Sequence, residues 1–102
     1  MLFLILLRYR VALDKVEAHI DAHRGWLRQH YAAGHFLLSG PQEPRSGGAI
    51  LARASDRETV LQWLREDPFQ VAGVADYEVV AWVPTLRHPD LPAGLAPQAT
   101  AA

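Results

Sequence analysis

ALDKVEAHIDAHRGWLRQHYAAG, residues 12–34, is the stretch on which the reading of this chain turns. Asp14 can serve as an N-cap, and Glu17 three residues on completes a capping-box pattern, which predicts a helix over residues 14–33. Gly34 suits the residue just past its end. Val16, Ile20, His23, Leu27 and Tyr31 follow at steps of four, three, four and four, so they share one stripe. Packing accounts for every member of that stripe except the histidine. Trp26 and His30 fall at its flank and are expected to pack at the boundary.

Outward from this helix the pattern is short and regular. Residues 2–9, apolar on both alternating sides, read as a strand covered on both faces. Residues 35–39 form a second strand that begins with an exposed His35 and closes at Gly40-Pro41. A loop follows over residues 42–46, Gly47-Gly48 turns the chain, and residues 49–53 make a third strand. Ser55-Asp56-Arg57-Glu58 is a second capping box, opening a helix whose apolar side carries Val60, Leu61 and Leu64. Pro68 ends it, since the residue before a proline is driven out of helical conformation. A short helical turn over residues 69–73 leads to a fourth strand, residues 77–83.

The order β-α-β-β-α-β is the ferredoxin-like α+β arrangement, a four-stranded antiparallel sheet with two helices on one face. Strands one, three and four carry apolar residues toward both faces, which leaves a bare apolar face that monomers rarely expose. Two copies meeting sheet to sheet would cover it, so a homodimer, a dimeric α/β barrel, is expected. The domain spans residues 1–87. Residues 88–102, rich in Pro, Ala and Gly, are expected to be a disordered or loosely docked tail.

Composition narrows the chemistry. The chain has 102 residues, one domain's worth, and a formal charge of −1 with basic and acidic residues interspersed. A nucleic-acid or anionic-membrane partner would need a net basic face. There is no cysteine, which removes disulfides, thiolate catalysis and cysteine-held metal centres. The apolar opening, residues 2–7, lacks both a basic region before it and a cleavage site after it, and falls far short of the ~20 residues of a membrane span. A cytoplasmic protein is expected.

His23 leads the candidates for chemistry, because an imidazole exchanges its proton near neutral pH. Its alternative is a core histidine bonded to a carbonyl. Asp67 falls on the same side of the second helix as Val60 and Leu64, where a carboxylate at the negative end of a helix dipole needs a donor nearby. It also precedes Pro68 in the pattern of an N-cap followed by proline, and one carboxylate can do both jobs. His19 and His23, four apart, could share a metal from one helix face, but His30, His35 and Asp67 are not anchored to them by spacing, so no metal is assigned. Ser39 and Gly40 could offer a hydroxyl and close backbone approach to a ligand. Phe69 and Trp63 could form an apolar wall, and Arg8 and Tyr9 could line the cleft or the dimer seam, with Arg8 taken as a substrate-binding residue.

Leu6-Leu7-Arg8-Tyr9, Ala22-His23, Ala33-Gly34-His35-Phe36 with Ser39-Gly40-Pro41, and Asp67-Pro68-Phe69 with Ala72-Gly73 together resemble the YciI-like (YCII-related) family over residues 1–87. The resemblance implies a dimeric ferredoxin-like α/β barrel with a His and an Asp in a pocket, which map onto His23 and Asp67. A few relatives are tied to chloride removal from chlorinated hydroxyquinols, and the wider superfamily includes muconolactone isomerases. The expectation is a small enzyme without a cofactor, in which His23 acts as general base or acid on a small aromatic or lactone molecule and Asp67 orients its ring. The alternative is a non-catalytic ligand-binding or accessory homodimer.

Overall fold

A computed structural model describes residues 1–102. Strand β1 (Leu2–Tyr9) is followed by helices α1 (Leu13–Glu17) and α2 (Ile20–Ala32), the hairpin β2 (Phe36–Pro41) and β3 (Gly47–Arg53), helices α3 (Arg57–Arg65) and α4 (Pro68–Val71), and β4 (Ala75–Trp82). The four strands form one antiparallel sheet in the order β2-β3-β1-β4, the expected ferredoxin-like α+β fold. Alternation along β1 sends Phe3, Ile5 and Leu7 to one face, where Val16, Trp26, Val60, Leu64 and Phe69 from the helices bury them. No helix is long and apolar enough to cross a membrane.

The other face carries an apolar row across all four strands. Leu38 pairs with Leu51, Leu51 with Leu4, and Leu4 with Val80. Leu38 and Val80 are exposed, as is Trp82 one pleat further on. The register shifts between Phe36 and Leu38, a bulge at Leu37. The extra residue reverses the phase of β2, so that Ser39 pairs with buried Ile50 and points to the helical side while Leu38 points away.

Several boundaries differ from the sequence reading. The first helix is not continuous: His19 bonds the Val16 carbonyl three residues back, and the tightened turn at Ala18 and His19 separates α1 from α2. Its N-cap is Ala12, without a side-chain bond, so Asp14 lies in the first turn rather than capping it. The buried residues of α2 are His23, Trp26 and His30, and Tyr31 is exposed. The indole brings more apolar surface than a leucine and finds an acceptor for its Nε1 on the Trp63 carbonyl at 3.1 Å, so Trp26 takes the core position assigned to Leu27. On α3 the cap is Asp56, which accepts bonds from the Thr59 amide and hydroxyl, both at 2.8 Å, and not Ser55.

Gly47 and Gly48 are strand residues, not the hairpin turn. They pair with Arg8 and Leu7 of β1. A Cβ on Gly47 would stand 1.7 Å from the Leu7 carbonyl oxygen, so the glycine is what lets β3 approach β1 there. Gly34 has φ 79°, as the residue after a helix end requires. Beyond β4, the short strands β5 (Leu86–Arg87) and β6 (Thr100–Ala101) pair in parallel, joined by a 3-10 turn at Ala93–Leu95, and Ala96 and Ala99 are buried.

His30, His35, Phe36 and Trp63 lock α2 and α3 over the start of β2. The two Nδ1 atoms of His30 and His35 lie 2.9 Å apart, so one ring must accept from the other, and His35 stacks on Trp63 at 4.1 Å. His35 is therefore half-buried rather than exposed. Burial, with the neighbouring His35, lowers the pKa of His30 below its ordinary value, against weaker opposition from Glu66 and Asp67.

Two predictions follow from these contacts. Gly47→Ala is expected to lower stability by about 1–3 kcal/mol or more, as overpacking against rigid backbone does, whereas Gly25→Ala, a mid-helix glycine with nothing within 4 Å of an added Cβ, is expected to raise it by about 0.5–1 kcal/mol. Thermal melts of the two variants check this. For His30 the unfolded chain binds a proton that the folded chain resists, so stability falls as pH drops below the ordinary value of 6.5. Melts from pH 7.5 to 5 should show a steeper loss for wild type than for His30→Phe, and parallel curves would contradict it.

Candidate functional site

The chain ends α3 at Arg65 because Pro68 forbids a helical Asp67, whose ψ of 124° starts α4 instead. That turn drives the Asp67 side chain inward, where it is 0% exposed. Its Oδ1 accepts the Phe69 amide at 3.0 Å, the helix-capping bond anticipated for it, and also the Nδ1–H of His23 at 2.7 Å. Its Oδ2 accepts the Tyr77 hydroxyl from β4. A buried carboxylate is tolerable only when its lone pairs are met, and three donors meet these. Burial, reinforced by the Asp67 carboxylate, raises the Tyr77 pKa well above the usual phenol value, so Tyr77 stays a donor.

His23 is thus held on two sides. Its Nδ1 faces Asp67, and its ring lies flat on Phe69 with centroids 3.9 Å apart and planes 4° from parallel. Nε2 has no protein partner, yet it is not a sealed, unsatisfied atom. It is the nitrogen left to the cavity that His23 lines. With the proton of the neutral ring on Nδ1, the lone pair sits on Nε2, the arrangement of a positioned general base.

That cavity is about 410 Å³, between α2 and the sheet. Leu7, Ile20, Leu27 and Ile50 give it apolar walls, and Phe69 lines it beside His23. Ser39 and Gly40 line it, and the Ser39 Oγ lies 2.6 Å from the Tyr31 hydroxyl. Asp67 stands behind His23, outside the lining. Arg8 is not brought to the site: strand alternation places Leu7 and Tyr9 on the cavity side and turns Arg8 to the opposite face. Trp63 is absent from the lining too: its ring packs on His30, His35 and Phe36.

Arg24 and Arg45 line the cavity and were missed in the sequence. Arg24 directly follows His23, which was a usable signal. Arg45 lies in the loop between β2 and β3, and nothing in its local sequence says that the loop folds over the cleft. No group of three or more His, Asp or Glu side chains is arranged to hold a metal ion. His19 is the N-cap residue of α2 and forms no such cluster with His23.

Comparison with known proteins agrees with this architecture. A Xenovulene A biosynthesis cluster protein, asL2, from Sarocladium schorii is 32% identical over 76 residues, 63% of this chain; the match spans 66% of that protein's length, just under two thirds. Among solved structures, the 5-chloro-2-hydroxyhydroquinone dehydrochlorinase TftG from Burkholderia phenoliruptrix AC1100, in complex with 2,5-dihydroxybenzoquinone, superposes with a TM-score of 0.72 at 24% identity, covering 82% of this chain and 95% of that one. At that identity the likeness speaks for the fold. Residues 1–83 match the YCII-related domain, and with most of its length so matched, the chain belongs to the YCII-related domain family.

Proposed function

We propose that the protein is a small cofactor-independent enzyme in which His23 moves a proton through Nε2 while Asp67 holds the ring from behind. The observation that carries this reading is the 2.7 Å bond from His23 Nδ1 to a fully buried Asp67, with Nε2 turned to a cavity of small-molecule size. Such a base suits abstraction of a proton from carbon, followed by elimination or isomerisation in a small cyclic molecule. The dehydrochlorinase named for its structural neighbour is an elimination of that class, which supports the reading by analogy of fold. Ser39, Gly40 and Phe69 would contact the substrate.

One observation favours a second reading. Asp67 caps α4 and ties it to β4 through Tyr77, so the His23–Asp67 bond also suits a purely structural clamp in a ligand-binding or accessory protein. The two readings part at His23→Ala. Under the catalytic reading, chloride release from 5-chloro-2-hydroxyhydroquinone, or solvent-deuterium exchange into related cyclic enols, should fall by about 10²–10⁴-fold with the fold retained. Full turnover in that variant removes His23 from the mechanism, and loss of the fold without any ligand effect favours the clamp.

We further propose that two copies pair through the open sheet face. The exposed row of Leu38 and Val80 with Trp82 beside it is an apolar surface that a second copy would cover. Wild type should sediment as a dimer and Trp82→Glu should shift it toward monomer; a monomeric wild type would overturn the pairing.

A further inference from the structure

The charges around the cavity are one-sided. Two guanidinium groups, Arg24 and Arg45, line it together with His23, and no Asp or Glu does. Arg24 takes part in none of the ion pairs of the molecule. Arg45 has one acidic partner: its Nη1 lies 3.0 Å from the Glu17 Oε1, joining the β2–β3 loop to the end of α1. The side chains of this pair are 37% and 52% exposed, so the bond is weak and exchangeable. The Tyr9 hydroxyl, itself part of the lining, and Glu17 both favour the charged form of Arg45. A guanidinium presents five N–H donors in a fork that matches a carboxylate or an enolate, and most of that fork is uncommitted here.

We propose that the cavity binds a small, flat organic anion, one ring bearing a single carboxylate or enolate, and that Arg45 receives its charge by exchanging Glu17 for the ligand, with Arg24 as the second cation. The apolar walls and the flat His23–Phe69 pair take the ring, and the arginines take the charge. This rests on the cavity being the substrate site, but not on His23 being catalytic. Arg45 and Glu17 then set which molecules enter. A neutral ring of the same size lacks the interaction, and Glu17 discriminates by competing for the same guanidinium.

Calorimetric titration of the full chain with benzoate and with benzyl alcohol, a charged and a neutral probe built on one ring, tests this without turnover. Benzoate is expected to bind at least tenfold more tightly than benzyl alcohol. Arg45→Gln should remove most of that preference by weakening benzoate far more than benzyl alcohol, and Glu17→Gln should tighten benzoate several-fold. Melts confirm that the variants fold, as expected for an exposed pair. Equal affinity for the two probes, no benzoate binding at millimolar concentration, or unaltered benzoate binding in Arg45→Gln would each overturn the anion site. Unchanged benzoate affinity in Glu17→Gln would overturn the exchange. Because His23→Ala is scored on turnover and this site on binding, the catalytic reading can fail while the anion site stands, and the reverse.

Discussion

The structure depends on a carboxylate with no access to water. Asp67 sits where four elements meet, and it bonds to three of them: it starts α4 through the Phe69 amide, holds α2 through His23, and holds β4 through Tyr77. An unpartnered carboxylate in that position would be intolerable, so the three donors are obligatory rather than ornamental. Removing one of the three leaves a buried acceptor short of a donor, at a cost of about 1–3 kcal/mol. The same constraint that closes the fold therefore holds one imidazole ring in a single orientation. The residues that hold the His23 ring are thus the same ones the packing already needs.

The cavity follows from where that ring is held. His23 closes its inner end on the flat of Phe69, while the sheet supplies Leu7 and Ile50 as floor. The bulge at Leu37 is what lets Ser39 join, since without the extra residue the serine would face the other side of the sheet. The rim is made by the β2–β3 loop with Arg45 and by Glu17, an exposed side chain at the end of α1. The interior of the cavity is packed against the core, while its rim ion pair is solvent-exposed.

Much of this was legible in the sequence, and the parts that were not have identifiable causes. Alternation and helical spacing carried the element order and the two-faced sheet, because burial imposes those periods directly. His23 and Asp67 stood out because a histidine in an apolar stripe and an acid at a helix end both demand a partner. Their meeting is a matter of tertiary packing, and no local rule would place residues 44 apart in contact. Glycine misled at Gly47, where a hairpin signal was in truth close backbone approach between paired strands. Arg8 misled for a related reason: its neighbours Leu7 and Tyr9 reach the cavity, and strand alternation excludes the residue between them. Trp26 displaced Leu27 from the core through size and through its bond to Trp63, neither visible from spacing alone.

As the acceptor facing Nδ1, Asp67 dictates which nitrogen of His23 carries the proton. Nitrogen-15 NMR of the imidazole reads this directly at a pH where the ring is neutral. The expected result is a proton on Nδ1, shared with Asp67, and a bare Nε2 open to the cavity. A ring protonated on Nε2 instead, with Nδ1 bare, would contradict it.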